Sequence, residues 1–269
     1  VRPTVSTGPG GVTSLTVMTP YTFNGPAWQE SWDRQQEAYL PDREERFAAM
    51  LDAVEAVTEW PAPRILDLAG GTGSIALRAQ RRFPQANTTL LDLDPVTLTI
   101  ARATLDERST VVTADLVTPE WTAALPHRDY DAVLVATALH WLTPERLAEL
   151  YAEIRTVLRP GGILVNADHM PDDGLPGLSK RLGDRADARR EARYASGAVL
   201  SWAAWWEHAK TDPTLAPLVE ERNRLFPGDH HQEWLPPASW HVRALHDAGF
   251  TEVGLIWRGA QDAAVAGVR

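Results

Sequence analysis

Cysteine is absent from the 269 residues, so the chain has neither a disulfide framework nor a thiolate metal site, and its redox compartment is left open. Long apolar runs are missing too. None approaches the ~20 residues of a membrane span, and the first residues lack the basic and apolar regions of a signal peptide, which makes a cytoplasmic location the default expectation. Positive charge is in the minority, with 26 Lys and Arg against 36 Asp and Glu and a net charge of -10. A polyanionic partner is disfavoured, because nucleic-acid binding relies on Lys and Arg to neutralise phosphates. The expected partner is a small molecule, with no nucleic acid and no membrane; the oligomeric state stays open. Hydrophobic residues make up 44% of the chain, ample for a core of one domain with a small cap.

What is present is organised around Arg64 to Ser74, R-I-L-D-L-A-G-G-T-G-S. Residues 65–69 form a short apolar run with one acid, bounded by Pro63 and by glycines, and read as a strand buried on both faces. Gly70, Gly71 and Gly73 allow positive φ and let a ligand approach the backbone. Ser74 opens a helical pattern with Ile75, Leu77 and Phe83, so free N–H groups at its start point back at the glycines. A nucleotide-like ligand suits such a turn. Gly71-x-Gly73-x-x-Ala76 also fits the loose dinucleotide fingerprint, which keeps an NAD enzyme open. Asp92 closes a second apolar run and offers a carboxylate to ribose hydroxyls in either case. The third acid discriminates: residues 111–114 are followed by Asp115, which puts another carboxylate on the same rim.

In order, D-L-A-G-G-T-G at Asp67 to Gly73, L-D-L-D-P at Leu91 to Pro95, A-D-L at Ala114 to Leu116, Y-D-A-V-L-V at Tyr130 to Val135 and L-R-P-G-G at Leu158 to Gly162 resemble the motif set of class I S-adenosylmethionine-dependent methyltransferases. The resemblance covers roughly residues 64–168 and is nearest to the small-molecule branch that includes trans-aconitate methyltransferase-like enzymes. It implies S-adenosyl-L-methionine as cofactor. By carry-over, the backbone of Ala69, Gly70, Gly71 and Gly73 would face the methionine part, Asp92 the ribose, and Asp115 with Leu116 the adenine, while Leu93 and Thr137 complete the cofactor set and Asp67 acts from behind it. The chain has Gly70 where the family often has Cys, and Asp94 where Ser is frequent.

Along the chain, residues 1–20 are rich in Gly, Pro, Ser and Thr and read as a flexible tail, with Met18 a possible natural start. Residues 21–60 form an N-terminal helical segment. Trp28 and Trp32 share one helical face there, and Phe47, Met50, Leu51, Val54 and Val57 make the apolar stripe of a second helix. Trp32 or Tyr39 either packs this segment on the domain or joins the pocket. Residues 61–169 alternate strand and helix and form the cofactor-binding core, a parallel sheet with right-handed crossovers. Thr143 caps a helix with Pro144 at its first position, and Pro160-Gly161-Gly162 stops that helix before a strand at 163–166.

Residues 170–237 are expected to be a helical lid that holds the acceptor. The run 178–193 is strongly basic; it reads as a solvated face, or Arg193 clamps an anionic acceptor. In 199–210, Val199, Trp202, Ala203 and Trp206 share a face and Trp205 points elsewhere, so Trp202 and Trp206 are assigned to the substrate. Adjacent His230 and His231 with Glu233 are not read as a metal site, since neighbouring histidines diverge. Residues 238–269 complete the core with a last helix and a closing hairpin. With the resemblance, the expected fold class is α/β, a Rossmann-like seven-stranded methyltransferase sheet whose last strand is antiparallel as in that family, with a helical lid insertion.

Ligands in open parallel sheets sit beyond the carboxyl ends of the strands. His140 follows the fourth strand and His169 the fifth, neighbours in the strand order the resemblance implies, so the two are expected over one crevice as candidate catalytic residues, and Trp141 either flanks the cofactor and substrate or packs in the core. The expected reaction is metal-free methyl transfer to a small organic acceptor, a hydroxyl needing a base and a carboxylate none. The rivals are a methyltransferase acting on a peptide or protein, an NAD-dependent oxidoreductase, which gives no reason for a closing hairpin, and a non-catalytic cofactor-binding protein.

Overall fold

The computed structural model describes residues 22–227 and 233–269. The expected tail at 1–20 and the pair His230 and His231 lie outside the described residues. Strand formation follows burial. β1 (Arg64–Leu68), β2 (Asn87–Asp92) and β4 (Tyr130–Ala136) are almost wholly buried, as strands covered on both faces must be. With β3 (Ser109–Thr113), β5 (Leu158–His169), β6 (Glu252–Arg258) and β7 (Asp262–Val268) they form one sheet in the order β3-β2-β1-β4-β5-β7-β6. β7 runs antiparallel to both neighbours and the other strands are parallel, which is the expected fold class.

The register decides where a site can form. Leu68 lies opposite Leu91, Asp92 opposite Thr113, and Ala136 opposite Ala167, so the carboxyl ends of five strands finish on one rim. Helices α2 (Arg43–Val57) and α3 (Ser74–Arg82) cover one face through Phe47, Met50, Val54, Ile75 and Ala79. On the other face α5 (Pro144–Val157) and α9 (Ala238–Asp247) pack Leu150, Tyr151, Ile154 and Leu245 against Tyr130, Val133 and Val265. Thr143 accepts a hydrogen bond from the Arg146 N–H, capping α5 as its sequence predicts.

The strand expected at 163–166 is longer at both ends. β5 runs from Leu158 to His169: Leu158 pairs with Tyr130 of β4 ahead of a register shift that spans Pro160-Gly161-Gly162, and β7 carries the pairing on from Ile163↔Val268 to His169↔Asp262. Pro160 ends α5, but not the extended chain.

α1 (Gly25–Tyr39), α4 (Pro95–Thr104), α7 (Trp202–Ala209) and α8 (Ala216–Leu225) meet in a separate aromatic cluster, while α6 (Pro176–Ala195) stays largely exposed. Trp205 points away from the cavity that Trp202 and Trp206 line, as its spacing predicts. It is fully buried, packs edge-to-face on Trp28 and Trp32 with ring centroids 5.7 and 4.9 Å away, and donates its indole N–H to Ser31 Oγ at 3.2 Å. Ser201 caps α7 and so turns Trp205, Trp206 and Ala209 inward, leaving Trp202 at 43% exposure. Trp28 adds an indole N–H bond of 2.8 Å to buried Asp212. Among the described residues, no helix is long and apolar enough to cross a membrane.

Trp205 is thus the joint between the N-terminal helix and the segment after β5. Replacing it with Ala should cost about 3 to 5 kcal/mol, the range for truncating a buried aromatic, read as a lower midpoint in denaturant unfolding.

Candidate functional site

The turn after β1 is built around a buried carboxylate. Asp67 Oδ2 accepts the Ala76 N–H at 3.0 Å, which ties the first turn of α3 to the strand, while Oδ1 has no hydrogen-bond partner among the described residues. Burial, with the charge of Asp92, pushes the Asp67 carboxyl up to about 7. Gly70 passes directly over this group: a Cβ there would lie 2.6 Å from Asp67 Cγ. Ala69 and Thr137, at the ends of β1 and β4, both carry positive φ, 52° and 55°. Strained non-glycine backbone of this kind persists where surrounding structure holds it, commonly at ligand sites.

The second acid reaches across to the same turn. Asp92 Oδ2 accepts the Gly71 N–H at 2.8 Å and Oδ1 accepts the N–H groups of Leu93 and Asp94. Burial raises the Asp92 carboxyl, with the charge of Asp94 acting the same way. Asp94 serves two partners. Its Oδ1 caps α4 through Val96 N–H at 2.9 Å, and its Oδ2 takes the Arg222 Nε–H at 2.6 Å. Asp115 Oδ1 accepts from Val117 N–H at 2.9 Å.

These groups line a cavity of about 680 Å³ above the rim. Of the residues assigned to the cofactor, Ala69, Gly70, Gly71 and Asp92 face it from the first two strands, and Leu93, Asp115, Leu116 and Thr137 from further along. Gly73 does not. It caps α3 with φ 84°, and a Cβ there would press on Leu90 and Leu105, so its part is to turn the chain rather than to touch a ligand.

At the far side of the crevice the two histidines stand together, rings 5.5 Å apart. His140 faces the cavity and its Nδ1 is 2.8 Å from Asp168 Oδ1; Asp168 also accepts the backbone N–H groups of Leu139, His140 and His169. Burial would raise the Asp168 carboxyl, but the His140 hydrogen bond and charge, with the His169 contacts, hold it below the ordinary range. An ionised Asp168 fixes the proton on His140 Nδ1 and leaves Nε2 as an acceptor. His169 sits behind the wall: Nδ1 donates to Asp262 Oδ1 at 2.6 Å, and Nε2 is 3.3 Å from the Tyr39 hydroxyl. Burial opposes its charge, yet Asp262 raises the imidazole above its usual value, and buried Arg46 holds the other oxygen of Asp262 at 3.1 Å.

The walls come from α1 and from the helices after β5. Trp32, Tyr39, Trp141, Trp202 and Trp206 all line the cavity. Arg193 lies elsewhere. Its guanidinium donates to the carbonyl of Ala38 at 3.3 Å, because α6 runs beside the end of α1 rather than over the mouth. Two arginines that sequence reasoning passed over are at the cavity instead. Arg43 is buried and paired with Asp33 at 2.8 Å. Arg222 lies 4.0 Å over the Trp206 ring, a stacking worth roughly 0.5 to 2 kcal/mol. No local pattern singled out Arg222 from its solvated neighbours; Arg43 was legible only as a basic residue ahead of the acidic first turn of α2. Among the described residues, no group of His, Asp and Glu has the arrangement to hold a metal ion.

Residues 65–162 match the family model described as a methyltransferase domain. Among curated relatives, the ubiquinone/menaquinone biosynthesis C-methyltransferase UbiE of Dinoroseobacter shibae is 35% identical over 136 residues, 45% of this chain and 50% of the relative. The chain spans about half the length of the curated relatives it matches. Similar solved folds include an O-methyltransferase family protein from Burkholderia thailandensis, at TM-score 0.51 and 20% identity over 91% of this chain and 69% of that one, and PigF with SAH, at TM-score 0.54 and 16% identity over 90% and 61%.

Asp67 gives the site a pH signature. An unfolded chain releases this proton near 3.8 while the folded chain keeps it to about 7, so the group costs stability increasingly as pH rises through that window. Asp67→Asn keeps an acceptor for Ala76 and carries no charge. Its melting temperature should exceed that of the parent at pH 8, with the gain shrinking as the pH is lowered toward 5; equal curves at both pH values would show Asp67 ionising normally.

Proposed function

We propose that this chain, which carries a methyltransferase domain over residues 65–162, transfers a methyl group from S-adenosyl-L-methionine to an oxygen of a small organic acceptor. The observation that carries the reading is one cavity holding the acids of three strand ends at one side and the His140–Asp168 pair at the other. The residues present suit the cofactor. Asp92 ends β2 where ribose hydroxyls can be met, and Asp115 and Leu116 flank the place for a base. The partnerless buried oxygen of Asp67, at the lining of the cavity, would be available to a polar group of the cofactor.

Bound there, the cofactor supplies an electrophilic methyl on a sulfonium. The chain's own work is positioning and proton handling. Holding an acceptor oxygen near and in line can be worth up to about 7 to 11 kcal/mol. His140 Nε2, backed by ionised Asp168, takes the proton a hydroxyl must lose. Tyr39, hydrogen-bonded to His169, offers a second polar contact. The indoles of Trp32, Trp202 and Trp206 meet edge-to-face and make an apolar wall suited to an apolar or aromatic acceptor. That cover, formed by α1 and α7, supports a small-molecule enzyme of the kind that includes trans-aconitate methyltransferase-like proteins over one that accepts a protein chain.

Titration calorimetry with S-adenosylhomocysteine and, separately, NAD tests the cofactor. Micromolar binding of the former alone is expected, and binding of NAD alone would overturn the reading. Asp92→Ala should weaken S-adenosylhomocysteine binding more than tenfold. His140→Ala should lower turnover at saturating cofactor while cofactor affinity stays at the parental value; parental turnover would remove His140 as the base.

A further inference from the structure

We propose that Arg222 is a clasp that closes the lid over the nucleoside end of the cavity and so slows release of the cofactor; this rests on the cofactor reading above. Three residues lining the cavity converge on its guanidinium. From the core, Asp94 accepts the Nε–H at 2.6 Å. From the lid, the rings of Trp206 and Phe226 lie 4.0 and 5.4 Å from its central carbon. This ion pair joins a charged side chain of α8 to the β2–α4 turn, which follows Asp92 and also holds Leu93.

The body of the lid does not depend on this link. Leu215 and Val219 of its helices pack on Val96 and Ile100 of α4, and Trp205 and Trp206 pack beside them. Arg222 adds closure rather than attachment. A planar, permanently charged group is suited to it, since one face stacks on an indole while the edge donates to a carboxylate. Asp94 couples the clasp to the site directly, because the same carboxyl caps α4 through Val96 and its backbone N–H bonds to Asp92. A ligand held by Asp92 therefore lies beneath a side chain that also sets the position of Trp206 on the acceptor wall.

The test uses the full chain with S-adenosylhomocysteine, reading affinity by calorimetry and dissociation by stopped-flow tryptophan fluorescence. Arg222→Ala should weaken binding about tenfold, carried by faster dissociation. Asp94→Asn, in which the Asn can still cap α4, should do the same, and the double variant should be no worse than either single one. Arg222→Lys keeps the charge without the planar stack and should fall between parent and Arg222→Ala. Parental affinity and dissociation in Arg222→Ala with an unchanged melting curve would overturn the clasp, as would independent, additive effects of the two single substitutions. A parental chain that fails to bind S-adenosylhomocysteine would overturn the cofactor reading, and the clasp over a nucleoside with it.

Discussion

A carboxylate taken out of water inside a parallel sheet must be answered by the chain around it, and the turn after β1 is folded as that answer. Asp67 is fully buried, holds the start of α3 through Ala76, and leaves room above itself only for a glycine at position 70. The left-handed bend at Ala69 carries the backbone across this group, and Gly71 then reaches Asp92 on the next strand. One desolvated acid thereby links β1, α3 and β2 at the spot where their ends meet. The free oxygen it keeps is part of the site rather than a fault of the core.

The opposite side of the cavity is held by aromatic packing. Trp28 and Trp205 are buried between α1, α4 and α7, and Trp32, Trp202 and Trp206 face the space that remains. Indoles have few rotatable bonds and large surfaces, so a wall made of them is firm at low entropic cost. The sheet rim is polar and strained, and the wall is apolar. A ligand with a charged nucleoside half and an acceptor of lower polarity would meet one on each side.

Much of this was legible in the chain. Strands that end in acids at Asp92 and Asp115, and the two histidines placed after neighbouring strands, follow from period, glycine position and the rule that ligands gather at strand ends. Other features depend on contacts that no local pattern contains. Helical spacing sets Trp205 apart from Trp202 and Trp206, but its full burial comes from packing on α1, which no local pattern contains. Pro160 and its glycines looked like a break, whereas β4 pairs on both sides of them through a register shift. Arg193 stood out by charge in a basic run, yet the arginines at the cavity are Arg43 and Arg222, the latter placed by the path of α8 over α4.

The pairing of β5 with β7 has a bearing on the order in which the molecule can be made. Asp262 lies opposite His169 in the register and holds its ring, and Asp262 in turn is held by Arg46 from the second helix. A nascent chain emerging from the ribosome would have the whole glycine turn and the strand-end acids outside long before residue 262 is synthesised. The glycine turn and the strand-end acids are thus complete in the chain while His169 still lacks the carboxylate that holds its ring. The ring of His169 is therefore set by the β6–β7 hairpin, which is made after every other strand of the sheet.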